Sequence, residues 1–271
     1  MKHIRQFLVI MAILTVFGGR LQAEEKDSFI GNAVGNIVED FKYLATSPLR
    51  LDTNSALITL GVIGAGGVLY GYDGQIRDYF ADSKHHSAAQ DGLANAAEII
   101  GYPWTLGIVG IYGGSGYLMK NEKMKETALL SIESFLVAES ICVSVKYASG
   151  RARPKRDRGP YSYKPFSFDL SDTAFPSGHA TSAFSIASVF AGEYDSPWVG
   201  VLAYGLACLS GWERLYDDKH WASDVWFGAA LGTVVGRSVV YLHKKTDGKV
   251  SLAPMVDPSG RSYGLMMQLA F

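Results

Sequence analysis

Residues 175–184 read FPSGHATSAF. A proline, a serine and a glycine stand before a histidine, and small and apolar residues then run on to Ala191. Pro176 suits a helix start, and a helix N-terminus has unpaired N–H groups and the positive end of the dipole. The segment therefore predicts a helix whose first turn can meet an anion, with Gly178 allowing close approach of the backbone. Taken alone it also has a plainer reading. In that reading Ser177 only caps the helix and His179 is a satisfied polar residue.

The helical pattern extends in both directions from this segment. Long apolar stretches cover Ser55–Tyr72, Ile99–Met119, Thr127–Val145, Pro197–Trp212 and Ala222–Leu242, and Phe29, Val34, Ile37, Val38, Phe41 and Leu44 recur at steps that suit an amphipathic helix. Charged or turn-rich connections such as YDGQIRDYFADSKHH and KNEKMKE separate the long stretches. No repeat or low-complexity linker divides the chain. An all-α fold is expected, a helical bundle forming one domain over residues 24–248.

Both ends change character. Lys2 and Arg5, the apolar run FLVIMAILTVF, and RLQA before Glu24 read as a signal peptide over residues 1–23, so export to the periplasm or cell envelope is expected. An uncleaved anchor is the alternative. At the other end VSLAPMV, DPSGR and SYGLMMQLAF read as strand, turn and strand, a C-terminal β-hairpin extension over 249–271.

Composition limits the partners. With 271 residues and 48% hydrophobic content the chain can bury a sizeable core. A net charge of −1 provides no general attraction to nucleic acid, so an anion preference has to come from a local cluster. Cys142 and Cys208, both in apolar runs, read as buried free thiols rather than a disulfide. Membrane association is open between peripheral and integral. Ser55–Tyr72 and Ile99–Met119 are long enough to cross hydrocarbon, but Glu133, Glu139, Asp224 and Arg237 interrupt other stretches, and the mean hydropathy is only +0.09. These features favour a soluble or peripheral domain over an integral bundle. Gly228, Gly232 and Gly236, four apart, predict a close helix contact in either setting.

The chemistry lies between residues 146 and 224. In KYASGRARPKRDRGP, Lys146 precedes Arg153 by seven residues, which puts both on one face if the helix continues through SGRA. A charge run is more often a solvated face, and without interleaved aromatics it is no nucleic-acid surface. In WERLYDDKHWASD, Arg214 precedes His220 by six residues and Asp224 follows it by four. On a helix that last spacing stacks carboxylate over imidazole; the carboxylate then sets the tautomer and leaves the other nitrogen free to attack. A His-x-x-x-Asp pair also suits a metal, but no further ligand cluster accompanies it.

Together these pieces resemble the type 2 phosphatidic acid phosphatase (PAP2) superfamily, which includes bacterial non-specific acid phosphatases and vanadium haloperoxidases. The shared pattern is Lys146…Arg153-Pro154, then Pro176-Ser177-Gly178-His179, then Arg214…His220…Asp224, in that order. Glu213 departs from it, standing where the family usually has serine. The resemblance implies a helical bundle with one oxyanion pocket and a metal-independent phosphohydrolase without a cofactor. Its substrates would be phosphate monoesters or lipid and isoprenoid phosphates. In that scheme His220 attacks phosphorus to form a phosphohistidine, Asp224 orients its ring, and His179 protonates the leaving oxygen. Lys146, Arg153, Ser177, the Gly178 backbone and Arg214 bind the phosphoryl oxygens. The alternatives are a vanadate-dependent haloperoxidase using the same pocket and a non-catalytic anion-binding protein of the envelope. The segment Lys155 to Phe175 is expected at the mouth, its basic PKRDRG steering anionic head groups or merely covering apolar surface.

Overall fold

The computed structural model describes residues 43, 46, 52–82, 86–101 and 104–247, with side chains to residue 244, and the backbone of residues 250–256 and 263–269. The leader expected at 1–23 and the apolar residues Phe29 to Phe41 lie outside the described residues. Seven α-helices form the described bundle: α1 (Thr53–Ala81), α2 (Ala88–Ala97), α3 (Trp104–Leu118), α4 (Glu122–Ser149), α5 (Gly178–Glu193), α6 (Pro197–Tyr216) and α7 (Ala222–Asp247). The all-α bundle expected from the sequence is the fold observed. Beyond it, strands Val250–Val256 and Tyr263–Leu269 pair antiparallel, with Val250 opposite Leu269.

Local chemistry sets the helix limits. The Asp52 carboxylate accepts the Ser55 N–H at 2.8 Å and starts α1, while the Asn121 side chain accepts the Met124 N–H at 3.1 Å and starts α4. Pro197 opens α6. Gly150, with φ of 61°, closes α4 and donates its N–H to the Lys146 carbonyl at 3.0 Å. YDGQIRDYFA is not a connection: α1 runs through it to Ala81, despite Gly71 and Gly74. Tertiary packing there outweighs the roughly 1 kcal/mol that each helical glycine costs.

Helix α5 is the centre, with α4, α6 and α7 packed around it; α1 lies on α7, α2 on α6 and α3 on α4. One apolar core joins Leu130, Val137 and Ala138 of α4 to Val189 of α5 and to Val235, Val239 and Val240 of α7. The glycine stripe of α7 faces α5 as expected. A methyl at Gly232 would run into the Thr181 carbonyl oxygen, and one at Gly236 into that of Ser185. Backbone atoms cannot rotate aside, so Gly232→Ala is expected to destabilise the bundle by about 1–3 kcal/mol. A lowered midpoint of thermal unfolding in detergent checks this, with the exposed Gly67→Ala as the control, since a methyl there meets nothing.

The outer surface bears on the choice between a soluble or peripheral domain and an integral bundle, and favours association with a membrane. Helices α1, α4 and α7 (over Ala222–Lys244) are long and apolar enough to cross a membrane. Leu57, Ile58, Leu60 and Val68 of α1 point outward, each more than 60% exposed, as do Ile111 of α3 and Trp198, Val201 and Leu202 of α6. The buried faces carry small polar residues instead, among them Thr127, Ser131, Thr181, Ser182, Ser185 and Ser188. Apolar outside and small or polar inside is the arrangement of helices packed in lipid, where association relies on close contact rather than on hiding apolar surface from water. Asp224 is fully buried within the bundle and Glu139 half-buried. The protein is membrane-associated. Cys142 is a buried free thiol as expected, but Cys208 is exposed.

Candidate active site

The three sequence motifs meet where α4 and α6 end and α5 and α7 begin. Lys146 occupies the last turn of α4. Its Nζ donates to the Thr173 carbonyl at 2.9 Å and to the Pro176 carbonyl at 2.5 Å, which holds the loop before α5 against it. Arg153 does not share a helical face with Lys146. The helix stops at Ser149, the left-handed Gly150 reverses the chain, and Arg151 bridges to Tyr163 before Arg153 is reached in extended conformation. The chain reversal, rather than the heptad spacing, brings Arg153 back to the site, where its charge acts on His220.

Ser177 caps α5, its Oγ accepting weakly from the Ala180 N–H at 3.5 Å. Its own N–H donates to the Asp224 carbonyl at 2.9 Å and joins the starts of α5 and α7. Gly178 lies over Glu139 and the Lys146 side chain, where a methyl would make ordinary contacts at 3.4–3.6 Å. The His179 ring packs against the backbone of Gly101. Burial, and then the charges of Arg214, Lys219 and Lys146, press its pKa down to about 2.

His220 is not helical. It sits in the turn before α7, its N–H donating to the Arg214 carbonyl at 3.2 Å, and is 5% exposed. Burial, then Arg153, Lys146 and Arg214, hold its imidazole well below the usual histidine range, so the ring is neutral and its lone pair available. Asp224 lies in the first turn of α7 and its Oδ2 accepts the Trp221 N–H at 2.9 Å, the reach-back half of a capping box. The His220 Nδ1 to Asp224 Oδ2 distance is 3.5 Å, an ion-pair separation longer than a good hydrogen bond. The pair expected to stack on one helix is thus made across a turn–helix junction.

Arg214 is 3% exposed and pairs through Nε with the Glu213 carboxylate. Glu213 is fully buried and bridges Arg214 to Lys219, whose Nζ lies 2.9 Å from Glu213 and 3.0 Å from Glu98. Among the described buried side-chain atoms without a hydrogen bond are Arg153 Nε, Arg214 Nη2 and His220 Nδ1, and Arg214 Nη2 lies 3.7 Å from Glu98 Oε1. Buried guanidinium N–H groups without partners are costly, and donors from two motifs next to a neutral imidazole form a receptor for an oxyanion.

At the mouth, the two arginines of the basic run are paired with carboxylates. Arg158 pairs with Asp172, Arg156 with Asp169 at 2.7 Å, and Asp157 with Arg77 at 2.6 Å. The aromatic side chains of the same loop are free to meet apolar material, Phe166 and Phe168 being 73% and 66% exposed. Two residues escaped the sequence reading altogether: Arg151, taken as part of a charge run, and Asp73, placed in a connection. Both are fully buried behind Asp224.

Residues 127–247 match the model of the PAP2 superfamily. A lipid A 1-phosphatase from Porphyromonas gingivalis is 34% identical over 122 residues, 44% of this chain and 23% of that protein. One from Rhizobium johnstonii is 32% identical over 162 residues, 56% of this chain and 64% of that protein. The chain thus spans less than two thirds of either relative. In fold it is similar to the transmembrane PAP2-type phosphatidylglycerolphosphate phosphatase from Bacillus subtilis, with a TM-score of 0.50 and 19% identity over 69% of this chain and 96% of that one.

Proposed function

Because residues 127–247 are a PAP2 superfamily segment, we propose that the protein is a membrane-bound phosphohydrolase that removes a terminal phosphate from a lipid phosphate through a phosphohistidine. The observation that carries this reading is the convergence on His220 of Arg153 Nε and Arg214 Nη2, buried donors without a hydrogen bond, from motifs about sixty residues apart in the chain. Lys146, the Gly178 backbone and Ser177 complete the cradle. The His220 Nε2 lone pair forms the N–P bond as the P–O bond to the leaving group breaks, and His179 supplies the proton that the departing oxygen takes. Water then attacks phosphorus, His179 accepts its proton, and the P–N bond breaks, which returns His220 neutral.

Lipid is favoured as the substrate class because the outer helices are apolar and the loop beside the pocket presents Phe166 and Phe168. Lipid A 1-phosphate, named for both relatives, is the first substrate to test. On this reading residues 1–23 are an export leader, residues 24–248 the phosphatase domain in the cell envelope, and 249–271 an appended hairpin.

Lys146, Arg153 and Arg214 supply the charge that a divalent ion supplies elsewhere. Phosphate release by the full chain in detergent micelles is therefore expected to persist in chelator and to be blocked by vanadate, which mimics the five-coordinate transition state. A panel of lipid and soluble phosphates should show the highest kcat/KM on lipid. Activity lost in chelator and restored by one divalent ion overturns the mechanism; equal rates on soluble monoesters overturn the substrate class.

A further inference from the structure

Behind Asp224 lies a buried cluster that the three motifs do not include. Arg151 Nη1 donates to Asp224 Oδ1 at 2.5 Å and to Ser223 Oγ at 2.8 Å; Nη2 donates to Asp73 Oδ2 at 2.7 Å and to the Pro160 carbonyl at 2.8 Å; Nε donates to the same carbonyl at 3.0 Å. The guanidinium's donors are all used. Asp73 is equally committed, accepting the Ser223 N–H at 2.9 Å and its Oγ–H at 2.6 Å. Tyr70, Tyr163 and Trp221 surround the Arg151 guanidinium with ring centroids 5.0, 5.7 and 5.6 Å away. Such a site keeps water out and makes the charges count.

The charge balance has a consequence for His220. One guanidinium between two carboxylates leaves one negative charge over. With Asp224 alone, Arg151 would cancel the carboxylate that His220 needs; Asp73 restores it. Asp73 and His220 also line the same small cleft between α1 and the start of α7. Resting on the reading of His220 as nucleophile, we infer that Arg151 and Asp73 are positioning residues. Arg151 locks the Asp224 carboxylate in place, and Asp73 keeps the cluster net negative so that it favours the ring once it becomes cationic on phosphorylation. The cations facing the ring from the other side are Lys146 of α4, Arg153 of the following loop and Arg214 of α6. The cluster is their counterweight.

Asp73→Asn keeps the shape and removes the charge. In the full chain in detergent micelles with inorganic phosphate bound, the ¹⁵N titration of His220, identified by its absence in His220→Ala, is expected to fall by about one pKa unit. The kcat should drop by about ten- to a hundred-fold, the usual cost of removing a partner one step from the reacting group, with phosphate affinity within about twofold. A folded Asp73→Asn protein with an unmoved His220 titration overturns the inference, because a merely structural role would lower the active fraction and leave that titration in place. If Asp73→Asn does not fold, Ser223→Ala, which removes only the hydroxyl linking Asp73 to Arg151, should shift His220 the same way by less; no shift there overturns it equally. Should the wild-type chain hydrolyse no phosphate ester, the functional reading fails, while the titration still decides the role of Asp73.

Discussion

His220→Ala is expected to abolish turnover, by about ten-thousand-fold or more, and with it any acid-labile phosphoenzyme, whatever the leaving group. His220 is 5% exposed and surrounded by Lys146, Arg153 and Arg214, so its loss removes the imidazole that faces those cations. Those cations remain in the variant, and inorganic phosphate should still bind. Rapid-quench trapping of ³²P-labelled protein checks the first point and equilibrium binding the second. A phosphoenzyme that survives in His220→Ala would assign the covalent step to another side chain.

His179→Ala is expected to behave differently on different substrates. An acid is needed most by a basic leaving oxygen and contributes about a hundred- to ten-thousand-fold there. An alkyl or glycosyl phosphate should therefore lose that much activity, while an activated aryl phosphate should retain a measurable phosphorylation burst. Equal damage on both substrates would show that His179 serves only to shape the pocket. The proton also has a traceable source. Burial first, then Arg214, Lys219 and Lys146, hold His179 at about 2 in the unliganded protein, so the ring is neutral at any working pH. The proton must then enter with the substrate, as the phosphate monoanion, and move to His179 once the anion offsets those cations. With a second phosphate ionisation near pH 6, kcat/KM should fall about tenfold per unit of pH above about 6. The same profile in His179→Ala on the aryl ester should be flat in that range.

The amino-acid sequence by itself determined the helical class and the identity of the groups that meet at the pocket. Both are written locally, in apolar runs long enough to be helices and in short segments such as PSGH whose residue types fit one chain geometry. It could also mark a close helix contact, because Gly228, Gly232 and Gly236 repeat with the helix, though not that α5 is the partner. Tertiary structure decided how the groups meet. Arg153 returns to Lys146 through the reversal at Gly150, and His220 sits before α7 rather than on it. Glu213 turns to Arg214 and Lys219. The contact between Asp73 and Arg151 spans 78 positions and leaves no periodic trace, while Gly71 and Gly74 hid the helix that carries Asp73. Which face of each helix meets lipid was equally hidden. An average over a helix cannot show that its serines turn inward and its leucines outward, because that depends on what the other helices cover.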